Sequence, residues 1–153
     1  MQLLDILLPE RIRLPMQATT KLDAITELID VLDATHALVD RTVALEAVLK
    51  RENERTTGIG YGLAIPHGKS TGCKSLAMAA GKPAQPINFG SLDGRPVTFV
   101  VLLCSPPDQT SQHINALAKI SRLMNTEAFR SKVQRAVTPQ ELYNAIREHD
   151  VPA

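Results

Sequence analysis

Aromatic side chains are scarce in this chain: three Phe, two Tyr and no Trp, 3% of all residues. Base-stacking platforms and aromatic cages need several exposed rings, so neither is expected. An excess of one charge is missing too. Lys and Arg number 17 against 16 Asp and Glu, a formal net charge of +1. That balance supplies no general electrostatic pull toward nucleic acid or an anionic membrane. No apolar run approaches the length that crosses a bilayer. Met1 to Asp5 lacks the basic stretch that opens a signal peptide. The only cysteines, Cys73 and Cys104, form no C-x-x-C pair, and two free thiols suit a reducing compartment. The expectation is a soluble cytoplasmic protein with no nucleic-acid or membrane partner.

What is present describes an ordinary globular chain. At 153 residues, 44% hydrophobic and 22% charged, it is long enough for one domain over 1–153 with a core that needs no staple. Ile12 and Leu14 alternate with Arg11 and Arg13, the pattern of a strand with one wet face. Thr20 caps a predicted helix whose buried stripe is Ile25, Leu28, Ile29 and Leu32. A second helix is expected from Asp40 to about Arg51, with Val43, Ala44, Ala47 and Val48 inward. Residues 53–72 read as a loop feeding a short strand that stops at Pro66. A strand of small residues is expected over 75–80. Val97 to Cys104 is almost continuously apolar, as in a central strand covered on both faces. A helix to about Met124 should follow, with Ile114, Leu117, Ala118 and Ser121 on one stripe, then a shorter one after Thr126. Thr138, Pro139 and Glu141 mark the start of a last helix. Helices on either side of the strongest strands predict a three-layer α/β fold.

Four histidines carry the chemistry available. None pairs with another histidine or a cysteine at zinc-motif spacing, so no metal site is proposed. His36 and His149 read as solvated helix-end residues. His67 lies at a strand exit between Pro66 and Gly68, where open α/β sheets build sites. There Gly68 leaves room for a second molecule, and a neutral imidazole is a competent nucleophile near pH 7. A strand-ending histidine that only bonds locally fits the same spacing. His113 falls in the first turn of a helix, an end that attracts anions, although a simply exposed histidine is equally at home there. Gly58-Ile59-Gly60-Tyr61-Gly62 has Leu63 where a dinucleotide fingerprint needs glycine, and it leads into a strand rather than a helix. Its glycines instead suit positive φ and close backbone approach near a site.

Arg51-Glu52, Thr57-Gly58-Ile59-Gly60 and Gly62-Leu63-Ala64-Ile65-Pro66-His67, with a second block from Gln112 to Leu117 and on to Leu123, resemble the fructose/mannitol-type EIIA domain of the bacterial phosphoenolpyruvate-dependent phosphotransferase system. Leu4 to Leu7 and Pro9 to Ile12 are similar to its nitrogen-regulatory branch. The resemblance implies a mixed β-sheet flanked by helices on both faces and no cofactor. It implies that His67 accepts a phosphoryl group on Nε2 from a histidine phosphocarrier, HPr or its nitrogen-branch counterpart. By the same resemblance His113 contacts the phosphoryl group, Arg51 lies near it, and Thr57 and Gly58 support it from a neighbouring loop. Such transfer needs a placed nucleophile and donors for spread charge, which this set supplies. Three functions remain open: a regulatory EIIA that signals through partner proteins, a sugar-uptake EIIA that hands the phosphoryl group to an EIIB, and a module on the same fold that only binds.

Overall fold

Three helix starts follow directly from local chemistry. In the computed structural model, which describes residues 1–150, Thr20 Oγ1 accepts the Asp23 amide at 3.1 Å and opens α1 (Lys21–Ala34). Asp40 Oδ1 accepts the Val43 amide at 3.2 Å and opens α2 (Arg41–Glu54). Thr138 exchanges bonds with Glu141 at the start of α5 (Pro139–His149). Each cap satisfies amide donors that the first helical turn leaves unpaired. Between them lie α3 (Thr110–Met124) and α4 (Glu127–Arg135).

Six strands form one mixed sheet: β1 (Ile12–Met16), β2 (Gly58–Gly60), β3 (Leu63–Ala64), β4 (His67–Lys69), β5 (Ala77–Pro83) and β6 (Phe99–Ser105). Their order is β1-β5-β6-β3-β2, with β4 also paired to β6. β3 and β4 run parallel to β6 in one unbroken register, Leu63 opposite Phe99 and His67 opposite Leu103. They are one line of chain interrupted at Ile65-Pro66, because proline has no amide to give a ladder. The Pro66 carbonyl still accepts the Leu103 amide at 3.0 Å.

β6 is buried at every position, and its alternation makes the three layers. Val100, Leu102 and Cys104 join the cluster beneath α1 and α2. Phe99, Val101 and Leu103 join the cluster on the other face, with residues of α3, α4 and α5. A strand points successive side chains to opposite faces, so a continuous apolar run feeds two cores at once.

Several expectations change. Residues 53–72 hold three short strands rather than a loop and one strand, and α2 runs on to Glu54. Val43 is exposed, and α3 buries His113, Ala116, Ile120 and Met124, leaving Ile114 57% exposed. Both stripes of α3 have helical spacing. The buried one packs Ala116, Ile120 and Met124 into the core on that face of the sheet, and His113 finds a hydrogen-bond partner inside, at Ser105. His149 is half-buried and stacks edge-on against Phe129 at 5.5 Å, so it is not a solvated residue. Cys73 and Cys104 are joined as a disulfide and are not two free thiols. Their Cα atoms lie 6.3 Å apart, a separation invisible to sequence spacing.

Candidate active site

His67 opens β4, and its ring is oriented by its own chain. Nδ1 lies 2.8 Å from the Ile65 carbonyl. A carbonyl can only accept, so Nδ1 carries the proton and Nε2 keeps its lone pair. The break at Ile65-Pro66 makes this possible, since it turns the Ile65 carbonyl toward the ring two residues on. The same segment is anchored from behind, where the Ile65 amide donates to the Thr57 carbonyl at 3.1 Å.

Gly68 acts differently from its expected role. A Cβ there would stand 3.0 Å from the Val48 amide nitrogen and 3.1 Å from the Ala47 carbonyl carbon. The space is occupied by the backbone of α2, not left for a visitor. That close approach carries the last turns of α2 alongside β4, so that Lys50, Arg51 and Glu54 share a cavity of about 600 Å³ with His67, Lys69 and His113. The Arg51 guanidinium donates to the Arg55 carbonyl at 2.9 Å, which ties it to the end of its helix.

His113 enters from α3. Its ring meets that of His67 edge to face, centroids 5.4 Å apart. Nδ1 lies 2.7 Å from Ser105 Oγ at the end of β6, and Nε2 is buried with no partner among the described residues. Burial pushes the His113 imidazole down to about 4, helped by the charges of His67 and Lys69. Burial also lowers His67 below its ordinary 6.5, opposed by the Ile65 bond, assisted by Arg51, with smaller opposite effects from Glu52 and Lys69. Both rings therefore favour the neutral form near pH 7, which leaves the His67 Nε2 lone pair available.

The structure brings His67, His113 and Arg51 into one cavity. Thr57 and Gly58 do not line it. The Thr57 hydroxyl donates to Glu52 Oε1 at 2.5 Å and its amide to Glu52 Oε2 at 2.9 Å, all buried. Glu52 in turn pairs with Lys21 at 3.0 Å. Thr57 thus reaches the site only indirectly, through Ile65 and Glu52. Gly58 faces Ser91, whose Cβ would be 2.9 Å from an added methyl. The turn Gly60-Tyr61-Gly62, with φ of 119°, 56° and 77°, lies by the start of β6 and away from His67. Sequence reasoning missed Ser105, Lys69 and Lys50. Only Ser105 left a signal, as a hydroxyl closing the central strand just ahead of the helix that carries His113.

A half-buried imidazole thus faces a second imidazole and several cations on a mixed three-layer sheet. The family model described as "Phosphoenolpyruvate-dependent sugar phosphotransferase system, EIIA 2" matches residues 5–149, and the chain belongs to that family: it is an EIIA-type phosphoryl-accepting protein. It is 32% identical over 150 residues to the fructose-specific EIIABC component of Bacillus subtilis, covering 98% of this chain and 24% of that protein. It is 33% identical over 146 residues to a nitrogen regulatory protein of Bradyrhizobium diazoefficiens, covering 95% of each. The crystal structure of nitrogen regulatory protein IIA-Ntr from Neisseria meningitidis superposes with a TM-score of 0.81 at 26% identity, covering 93% of this chain and 97% of that one. Among the described residues no helix is long and apolar enough to cross a membrane.

Proposed function

We propose that this chain is a regulatory EIIA of the nitrogen branch, phosphorylated on Nε2 of His67 by a histidine phosphocarrier and signalling through partners that distinguish its two states. The observation that carries the site assignment is the Nδ1–H of His67 held on the Ile65 carbonyl, which leaves Nε2 as the free lone pair in a cationic cavity. In the transfer, the N–P bond of the carrier's phosphohistidine breaks as the bond from phosphorus to His67 Nε2 forms. The positive charge that develops on the ring stays at Nδ1–H against Ile65. His113, with Ser105 Oγ–H donating to Nδ1, carries its proton on Nε2 and donates to a phosphoryl oxygen. Arg51 and Lys69 take the remaining charge, since spread negative charge in this reaction is met by placed donors. Thr57 and Gly58 serve as scaffold for the Ile65-Pro66 segment. The product adds close to two negative charges beside exposed Ile114, enough to change which partner surface fits.

The nitrogen-branch reading is supported by the opening residues Leu4 to Ile12 and by similarity to nitrogen regulatory proteins of several bacteria, including Klebsiella oxytoca at 32% identity. The sugar-uptake reading, with an EIIB acceptor, is favoured by the equal 32% identity to the Bacillus subtilis fructose component. Incubation with phosphoenolpyruvate, Enzyme I and either carrier, followed by intact-mass analysis, tests the relay. One acid-labile phosphoryl group is expected on the wild type and none on His67→Ala, with an unchanged circular dichroism spectrum. Phosphorylation that survives in His67→Ala overturns the assignment. Rapid onward transfer to a fructose-type EIIB would replace the nitrogen-branch reading with the sugar one.

A further inference from the structure

A feature that the relay does not use lies at the other end of β6. Phe99 and Leu103 are four residues apart, about 13 Å along a strand, and Phe99 lines a second cavity of about 730 Å³. Its size is that of a small-molecule site. Three cations line it, Lys82, Arg95 and Arg130, and no carboxylate does among the described residues. Much of the remaining wall is apolar, including Pro83, Pro96 and Val133.

The three cations are not equivalent. Lys82 Nζ donates to the carbonyls of Val133, Gln134 and Ala136 at 2.7, 3.0 and 2.8 Å. Its three donors are spent closing the end of α4. Arg130 gives only Nη1, to the Met124 carbonyl at 2.6 Å, while its guanidinium sits 4.2 Å over the Tyr61 ring. Two anchors hold that fork in place, and Nε and Nη2 have no protein partner among the described residues. The Arg95 side chain has neither an ion pair nor a hydrogen bond among the described residues.

A second observation is independent of the charges. Tyr61 has φ of 56°, a left-handed conformation rare for a residue with a ring. Tyr61 and Gly62, both with positive φ, form the two-residue turn between the paired Gly60 and Leu63, a hairpin geometry that requires such values. That turn delivers the Tyr61 ring to Arg130 at the cavity wall.

We propose that this cavity binds a small organic anion, a carboxylate or phosphate monoester carried on a compact ring or apolar body. Arg95 and Arg130 take the anionic group, and the body lies on Tyr61 and the prolines. A guanidinium already held by an aromatic face and a carbonyl loses little freedom on binding, and its planar fork matches both oxyanions. The site is separate from the relay and does not depend on it.

The probe is phenyl phosphate, titrated into the full-length unphosphorylated chain and followed by amide NMR, with benzoate, phenol and inorganic phosphate in parallel. Phenyl phosphate or benzoate should produce saturable shifts in residues 60–63, 95–99 and 130–134. Phenol and inorganic phosphate should each bind more weakly, by about tenfold or more, since each lacks half of the recognition. Arg95→Gln and Arg130→Gln should each weaken binding, and Arg51→Gln should leave it unchanged. Arg130 also ties down the Met124 carbonyl, so Arg95→Gln, which removes no fold contact, is the deciding variant. Shifts centred on His67, Lys69 and His113, lost in Arg51→Gln but kept in Arg95→Gln, would overturn the proposal. So would the absence of saturation with any probe, or tight binding of inorganic phosphate that Arg95→Gln does not touch.

Discussion

Ser105 and His113 show how much of this site rests on a single hydroxyl. In the proposed relay the Ser105 Oγ–H donates to Nδ1 of His113 and so keeps the His113 proton on Nε2, facing the phosphoryl position. Ser105→Ala should slow phosphorylation of His67 by about 10- to 100-fold, because an unfixed ring divides its time between tautomers and rotamers. Stability should fall by only about 1 kcal/mol. Timed mass spectrometry and a denaturant melt separate the two effects, and an unchanged transfer rate would show that His113 needs no such partner. The neutral rings also leave a thermodynamic signature. Each has a folded pKa below the unfolded 6.5, so the unfolded chain takes up protons first as the pH falls. The stability that neutral His113 contributes is therefore present above pH 6.5 and lost on the way down to about 4. Its ceiling is about 3 kcal/mol. Urea midpoints across that window should fall more steeply for wild type than for His113→Asn. Parallel slopes would mean that His113 is protonated inside the fold.

At the scale of elements, the decisive contact is between β4 and α2. Gly68 allows the two backbones to touch, and that contact determines where Arg51 stands. Gly68→Ala must push α2 outward, since the added carbon would sit 3.0 Å from a backbone nitrogen and no flexible side chain can yield. The expected cost is about 1–3 kcal/mol, together with slower phosphoryl transfer as Arg51 retreats from His67. Wild-type kinetics in a destabilised Gly68→Ala protein would show that Arg51 is not needed at close range. The caps were legible at this scale, because Thr20, Asp40 and Thr138 announce helix starts through local chemistry alone. The inward face of α3 was not. Ile114 and Leu117 have the same spacing as the residues that are buried, and the choice between the stripes rests on how Ala116, Ile120 and Met124 pack against distant elements.

For the molecule as a whole, β6 is the shared wall of two cores. Leu102 packs on the α1–α2 side and Leu103 on the α3–α5 side. Truncating either to alanine should cost about 2–5 kcal/mol. Because both clusters use one strand, each variant should lower the stability of both faces together. Methyl NMR of Ile25 and Ile146 during denaturation should give coincident midpoints in every variant. Separate midpoints would divide the chain into two folding units.

Neighbouring residues were enough to specify the helices, the α/β class, the central strand and the likeness that singles out His67, His113 and Arg51. These depend on periodicity, caps and motif order, all of which are written in neighbouring residues. Tertiary structure alone decided that Thr57 turns to Glu52 rather than to the cavity, that Gly68 admits a helix instead of a ligand, and that Ser105 holds His113. It also decided that the glycine turn, read as lying near the His67 site, delivers Tyr61 to the wall of a separate cavity. Each of these depends on which distant side chain fills a given space, and packing settles that only when the whole sheet has closed.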